Sequence, residues 1–391
     1  MYYYYFFLLK NIYSWYIFMK IVQFLPNFKP YEWELSSVAW EFAKNFVSGN
    51  CWEVLNVVFA WGEKWVDWYE KDWYKVLFLP SISLGANHFI FKFWSKKFWN
   101  VLKWVKGRDP DIVQTHGRSF LPTIFWLFFS LKLNKKWVYI SHKSWYKKWL
   151  SRWRLGTTML YDHTLWRLTF WFCNNIITLT NLSSLYIKGL TWKKVNVVYR
   201  GVDFPYQVEK EWKQDFEIRL CFVWNLLKKA WIWVLLRAFD EFRKEHPNTK
   251  LSIIWDWSKK WDVEKLIWML WMEDSVELLW KKTREEIQRD YLKKYDVVVV
   301  PTLESDSLIQ EEIVRWLLAK TVVVATDIWA VKEITDKEDL ILVKAWDISS
   351  LFDGLWLAVN SIDKSWLSYD GVKEKFSWDN RIKEYLSICY P

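Results

Sequence analysis

Ile218-Arg-Leu-Cys-Phe-Val-Trp-Asn-Leu-Leu-Lys-Lys-Ala-Trp-Ile232 reads as a strand, a turn and the entry to a helix. Residues 218–223 form a short apolar run of strand length, and from Ile232 the apolar spacing changes to the 3.6-residue period, which holds to 246. The same alternation runs outward in both directions. Strands are predicted at 20–25, 54–60, 111–115, 137–141, 175–180 and 195–199, then at 218–223, 250–254, 275–279, 296–301, 321–325 and 340–343. Helices are predicted between them, among others at 34–48, 120–131, 183–189, 232–246, 260–270, 284–294 and 310–319. Alternating strands and helices imply parallel sheets with helices on both faces, and twelve strands are enough for two sheets. The polar stretch Asp203–Asp215, with Pro205, separates the two sets.

The turn after Val223 contains Trp224 where a tight turn calls for glycine. The chain has 35 Trp and 10 Gly in 391 residues, whereas ordinary proteins carry about 7% Gly. Tryptophan recurs directly after apolar runs, in Ile254-Trp255-Asp256-Trp257, Leu279-Trp280-Lys281, Asp327-Ile328-Trp329 and Ala345-Trp346-Asp347. A chain reversal wants positive φ or close backbone approach, which glycine supplies without steric cost. Some bacterial lineages read the UGA codon as glycine. A gene of that kind, read in the code where UGA means tryptophan, produces this pattern. The expectation is glycine at many of these positions in the cell; the alternative is a truly tryptophan-rich protein.

Charge is unevenly held. The net charge is +10, yet residues 1–200 hold 27 Lys+Arg against 11 Asp+Glu, and residues 201–391 hold 28 against 34. A basic first half suits a solvated surface or attraction to anionic lipid headgroups. No nucleic-acid-binding module accompanies it. Cys51, Cys173, Cys221 and Cys389 lack metal or redox spacing and read as reduced, buried thiols, and no metal is expected. Met1 to Phe18 is apolar and aromatic, and Met19 opens the first strand. We expect translation to start at Met19, with a membrane-dipping anchor as the rival reading.

In open parallel sheets ligands sit beyond the carboxyl ends of strands. The residues found there are Trp33, His116, His142, Trp224, Asn225, Trp255 to Trp257 and Glu304. Together with their neighbours they spell an ordered set. Phe222-Val-Trp-Asn-Leu-Leu-Lys-Lys-Ala-Trp-Ile232, with glycine restored at tryptophan, resembles the strand-loop-helix "VGRL…KG" segment of GT-B glycosyltransferases, in particular family 4, the glycosyl transferases group 1. Pro30-Tyr-Glu-Trp33 resembles their N-terminal glycine loop. Pro110-Asp-Ile-Val-Gln-Thr-His116 and Tyr139-Ile-Ser-His142 resemble the two histidine-bearing strand ends. Val195-Asn-Val-Val-Tyr-Arg-Gly-Val-Asp203 resembles the "NGVD" entry to the linker, and Ile254-Trp-Asp-Trp resembles "GDG". Glu304 and Glu312 resemble the E-x7-E signature, and Phe376-Ser-Trp378 the aromatic C-terminal motif, where tryptophan is expected in its own right.

The resemblance implies a GT-B fold, two Rossmann-like domains whose parallel sheets face each other across a cleft. The expected parts are an acceptor-binding domain at 19–202, a linker at 203–215 and a nucleotide-sugar domain at 216–365. Residues 366–391 hold a C-terminal helix, around 372–387, that returns to the first domain. It implies transfer of a hexose from a UDP- or GDP-sugar to a lipid-linked or polysaccharide acceptor, with retention of configuration and no cofactor. Catalysis is assigned by resemblance to His142 and Glu304, and the acceptor side to His116. Donor binding is assigned to Trp33, Trp224, Asn225, Lys229, Trp255, Trp257, Ser307, Leu308 and Glu312.

Four departures from the family pattern stand beside this. Asn225 stands where the family has Arg, and Ala230 where it has Lys; Lys228 and Lys229 are adjacent substitutes. Asp306-Ser307 replaces Phe-Gly after the first glutamate. The segment from Glu312 to Val322 is longer than usual, so Glu311 is an alternative to Glu312. The missing cations motivate a second reading, a binding subunit that has lost donor chemistry. A third is a GT-B sugar-nucleotide epimerase.

Overall fold

A computed structural model describes residues 19–25, 34–48, 52–59, 68–71, 74–83, 89–117, 120–142, 159–160, 162–203, 217–224, 230–255, 260–280, 282–283, 286–302 and 307–390. The chain divides into two compact units. One runs to Tyr199 and takes in the chain again from Ile382; the other is Arg200–Arg381.

The first unit is built on β1 (Met19–Leu25), β2 (Trp52–Phe59), β3 (Trp68–Lys71), β4 (Tyr74–Leu79), β7 (Ile112–His116), β8 (Lys136–Ser141), β9 (Asn175–Thr178) and β10 (Val195–Val197). They form one sheet in the order β10-β9-β8-β7-β1-β2-β4-β3. Only β3, antiparallel to β4 at the sheet edge, departs from the parallel pattern predicted from sequence. β4 itself was not foreseen, and neither was a separate antiparallel pair, β5 (Ser81–Ser83) and β6 (Phe89–Phe91). Both are short strands with no crossover helix between them, so the βαβ rhythm gives no sign of them. The helices are α1 (Glu34–Ser48), α2 (Lys96–Gly107), α3 (Phe120–Leu133), α4 (Arg167–Phe172) and α5 (Asn181–Lys188). The sheet is covered on both faces, as near-continuous apolar strands require. Val22, Phe24, Val113, Tyr139 and Ile176 are buried with Phe98 of α2 and Trp126 of α3.

The second unit has β11 (Ile218–Trp224), β12 (Thr249–Trp255), β13 (Val276–Trp280), β14 (Val297–Val300), β15 (Val322–Thr326) and β16 (Leu340–Val343). Their order is β13-β12-β11-β14-β15-β16, and every pairing is parallel. That is the doubly wound order, with its switch point between β11 and β14. Its helices are α6 (Ala230–Glu245), α7 (Lys260–Met269), α8 (Ser307–Leu318), α9 (Trp329–Lys332), α10 (Ile348–Asn360) and α11 (Tyr369–Phe376). Leu220, Phe222, Leu251 and Ile253 pack on Leu235 and Phe239 of α6 and Leu355 of α10. The helix predicted at 284–294 is instead a single π-helical turn, Ile287–Tyr291.

The C-terminal helix predicted near 372–387 is two helices, α11 and α12 (Trp378–Cys389), broken at Ser377. There Val202 bridges Ser377, and the Val202 N–H donates to the Phe376 carbonyl at 2.8 Å. A backbone carbonyl used in this way is lost to the helical ladder. Residues 1–18, Trp33, Cys51, Asn225, Lys228, Lys229, Trp257 and Glu304 lie outside the described residues.

Candidate active site

In the first unit the switch point falls between β1 and β7, where chain connections leave in opposite directions. Parallel register pairs Gln23 with Gln114 and His116 with Ile140. With a side-chain period of two, Gln114 and His116 share a face with Gln23, and His142 falls on it two residues beyond Ile140. The structure brings these together. Nδ1 of His116 lies 2.9 Å from Nε2 of His142. Nε2 of His116 lies 2.7 Å from Oε1 of Gln23 and 2.5 Å from Nε2 of Gln114. Tyr385, on α12, donates to Oε1 of Gln114 at 2.6 Å. Phe42 and Phe46 of α1 press on this group from the same face, with Phe46 in edge contact with Tyr385.

The whole cluster is buried; even His142, at the strand end, is 5% exposed. Burial drives the pKa of His116 down to about 3, so its ring is neutral at physiological pH. The phenol of Tyr385 is pushed upward by the same cause and stays protonated. A neutral imidazole in such a chain has one donor and one acceptor nitrogen. At the outer end of this chain an imidazole is chemically able to accept a proton, becoming a cation, or to give one up. The sequence pointed to His116 and His142 but passed over Gln23, Gln114 and Tyr385. The signal was there for the glutamines: each is a lone amide inside an apolar strand, which demands a partner.

In the second unit β11 ends at Trp224 and β12 at Trp255, adjacent in register. Ala230, in the place of the family lysine, is the first residue of α6. Across the switch point β14 leads through Pro301 and Thr302 to α8. The Thr302 N–H donates to Oγ1 of Thr326 at the end of β15, and Gln310 of α8 donates to the Ala330 carbonyl of α9 at 2.9 Å. Ser307 opens α8 and is buried, and Leu308 is half-buried.

Glu312 stands about one and a half turns into this helix. Its Oε1 accepts from Trp316 Nε1 at 3.0 Å. Glu311 has a different fate. Its carboxylate pairs with Arg200 at 2.7 Å and with Arg315 one turn on, all three nearly inaccessible. This marks Glu311 as a structural anchor, and Glu312 as the more accessible of the two. Arg200 and Arg315 were not singled out from sequence. Asp109-Pro-Asp111 serves the fold: Asp111 accepts from the Lys20 N–H at 2.8 Å, and Asp109 pairs with Lys135. Among the described residues no group of three His, Cys, Asp or Glu could hold a metal ion.

The family described as Glycosyltransferase Family 4 matches residues 38–204, and Glycosyl transferases group 1 matches residues 217–359. The two matches fall one on each sheet. This chain is a glycosyltransferase of the GT-B type. It is similar to two uncharacterized glycosyltransferases of Methanocaldococcus jannaschii. One is 22% identical over 80% of this chain and 83% of that protein, the other 26% identical over 50% and 53%. A glycosyltransferase from Rickettsia africae superposes with a TM-score of 0.67 at 14% identity, covering 95% of this chain and 97% of that one. Anabaena HepE, solved in complex with UDP, superposes with a TM-score of 0.66 at 16% identity, covering 94% and 100%. For this glycosyltransferase, no helix among the described residues is long and apolar enough to cross a membrane.

Proposed function

We propose that this glycosyltransferase moves a hexose from a UDP- or GDP-linked donor to a lipid-linked or polysaccharide acceptor in cell-envelope glycan synthesis, with retention of anomeric configuration. The observation that carries the reading is His142 at the end of β8, hydrogen-bonded to His116 beside the β1/β7 switch point. UDP bound to Anabaena HepE, a protein of the same fold, supports a nucleotide-sugar donor.

In this reading the acceptor hydroxyl bonds to the anomeric carbon as the bond to the diphosphate breaks, and the hydroxyl proton leaves with the departing phosphate oxygen. Backbone N–H groups at Trp33 and Trp224, assisted by Lys229, stabilise the charge that grows on the diphosphate. Glu304 holds sugar hydroxyls and Glu312 the ribose diol, because a carboxylate accepts two hydrogen bonds. Asn225, Trp255, Trp257, Ser307 and Leu308 line the donor, and His116 with His142 faces the acceptor. The basic first half of the chain draws the protein to an anionic membrane surface.

The proposal includes glycine at Trp33, Trp224, Trp255 and Trp257 in the cellular protein. Supporting it, Trp271 has φ 51° and Trp346 φ 63°, a region that disfavours bulky side chains. The test is a thermal-shift screen of nucleotide sugars on protein with glycine encoded at the UGA positions. One donor at 100 times its Kd should stabilise the fold by about 2.7 kcal/mol. Failure of every UDP- and GDP-sugar to shift the melting temperature rejects the transfer reading and favours a lapsed binding subunit. A product formed from donor alone identifies an epimerase instead.

A further inference from the structure

The buried amide–imidazole cluster carries more than a location for His142. Its heavy-atom distances restrict where protons sit. His116 is enclosed, with Phe42 against its ring, and in its neutral form it holds a single N–H. Its two nitrogens face different partners: Gln23 and Gln114 on the Nε2 side, His142 on the Nδ1 side. An oxygen at 2.7 Å from Nε2 is a hydrogen bond if Nε2 bears the proton, and lone pair against lone pair if it does not.

We propose that Gln23 is a positioning residue for His142. Its amide oxygen takes the N–H of His116 Nε2, so His116 Nδ1 must accept from the Nε2–H of His142, and Nδ1 of His142 becomes its basic nitrogen. The rival arrangement runs the other way. A Gln114 N–H would donate into His116 Nε2, His116 Nδ1 would donate to His142 Nε2, and His142 Nδ1 would carry the proton. The Gln23 oxygen opposes that arrangement. In the proposed arrangement the Gln23 oxygen also accepts from the Gln114 N–H at 3.2 Å, and the Gln114 oxygen accepts from Tyr385 at 2.6 Å. No charged group is needed. The pair of glutamines does for this histidine dyad what a carboxylate does elsewhere, namely select a tautomer.

The inference rests on the transfer reading only in giving His142 something to do; the tautomer itself is measurable in the protein alone. With 15N-labelled histidine, long-range 1H–15N correlation spectra at about pH 8, above the ordinary histidine pKa, separate protonated from bare ring nitrogens. His142 is assigned by its loss in His142→Asn. In the unsubstituted protein His142 should show the Nε2–H form. Gln23→Glu keeps an oxygen acceptor and should retain that form, whereas Gln23→Met removes the acceptor and should move the His142 proton to Nδ1. A His142 Nδ1–H signal in the unsubstituted protein overturns the assignment. So does an unchanged tautomer in a folded Gln23→Met protein. Should Gln23→Met fail to fold, the unsubstituted protein and Gln23→Glu decide alone. A donor screen without a binder rejects the transfer reading and leaves the tautomer result standing.

Discussion

At the scale of single residues, the helix endings are informative about tryptophan. Helix α7 closes with Met272 N–H bonded to the Ile267 carbonyl and Trp271 N–H bonded to the Trp268 carbonyl. That is the paired pattern in which the residue corresponding to Trp271 adopts the left-handed conformation and is usually glycine. Helices α3 and α8 end the same way at Asn134 and Lys320. Asn tolerates this region; an indole gains nothing from it, and at Trp271 it is 77% exposed. Trp271→Gly should therefore raise stability by about 1 kcal/mol in urea denaturation. Peptide mass spectrometry of the native protein should find glycine there and at Trp346; tryptophan at both would end the recoding proposal. The opposite case is Trp378, where an indole belongs. A methyl placed on Gly201 would come within 2.3 Å of the Trp378 ring. Gly201→Ala should cost about 1–3 kcal/mol, the usual penalty for overpacking, read as a lowered denaturation midpoint.

At the scale of elements, α8 holds two adjacent glutamates with separate duties. Helical geometry turns neighbours by about 100°, so Glu311 points into a buried pair of arginines while Glu312 is half-buried beside Trp316. Removing Glu311 leaves two buried guanidinium groups without their anion. Glu311→Ala should then cost about 3–5 kcal/mol of stability, measured by thermal or chemical unfolding. Glu312→Gln should change stability by no more than about 1 kcal/mol, the value of one hydrogen bond, while abolishing the nucleotide-sugar shift in melting temperature. If Glu312→Gln binds donor normally, the ribose role assigned to it is wrong. Sequence spacing left 311 and 312 as alternatives because both fit an acidic residue near a helix; only the position of Arg200, far away in sequence, separates them.

At the scale of the whole molecule, a buried neutral histidine makes stability depend on pH. His116 has a depressed pKa, about 3 when folded, against about 6.5 in an unfolded chain. Between those values the unfolded state binds the extra proton, so stability rises with pH there and is lost as pH falls from about 6.5 toward 3. The slope from this one group is up to about 1.4 kcal/mol per pH unit. His116→Gln should flatten the acid limb of the stability curve by about one proton and leave its slope unchanged above pH 7. An acid limb of equal steepness in that variant would show that His116 is not enclosed as described.

The chain's periodicity alone determined that there are two sets of parallel strands, because an apolar run of five residues and a 3.6-residue stripe each bury themselves in one way. It also placed His116 and His142 at strand ends. The edge strand β3, the break at Ser377 and the company of His116 were decided only in three dimensions. Gln23, Gln114 and Tyr385 come from three distant parts of the chain. What joins them is a parallel register and the return of α12 to the first unit. No local pattern encodes a hydrogen bond between residues 271 positions apart; it exists because a buried amide must find a partner wherever the fold supplies one.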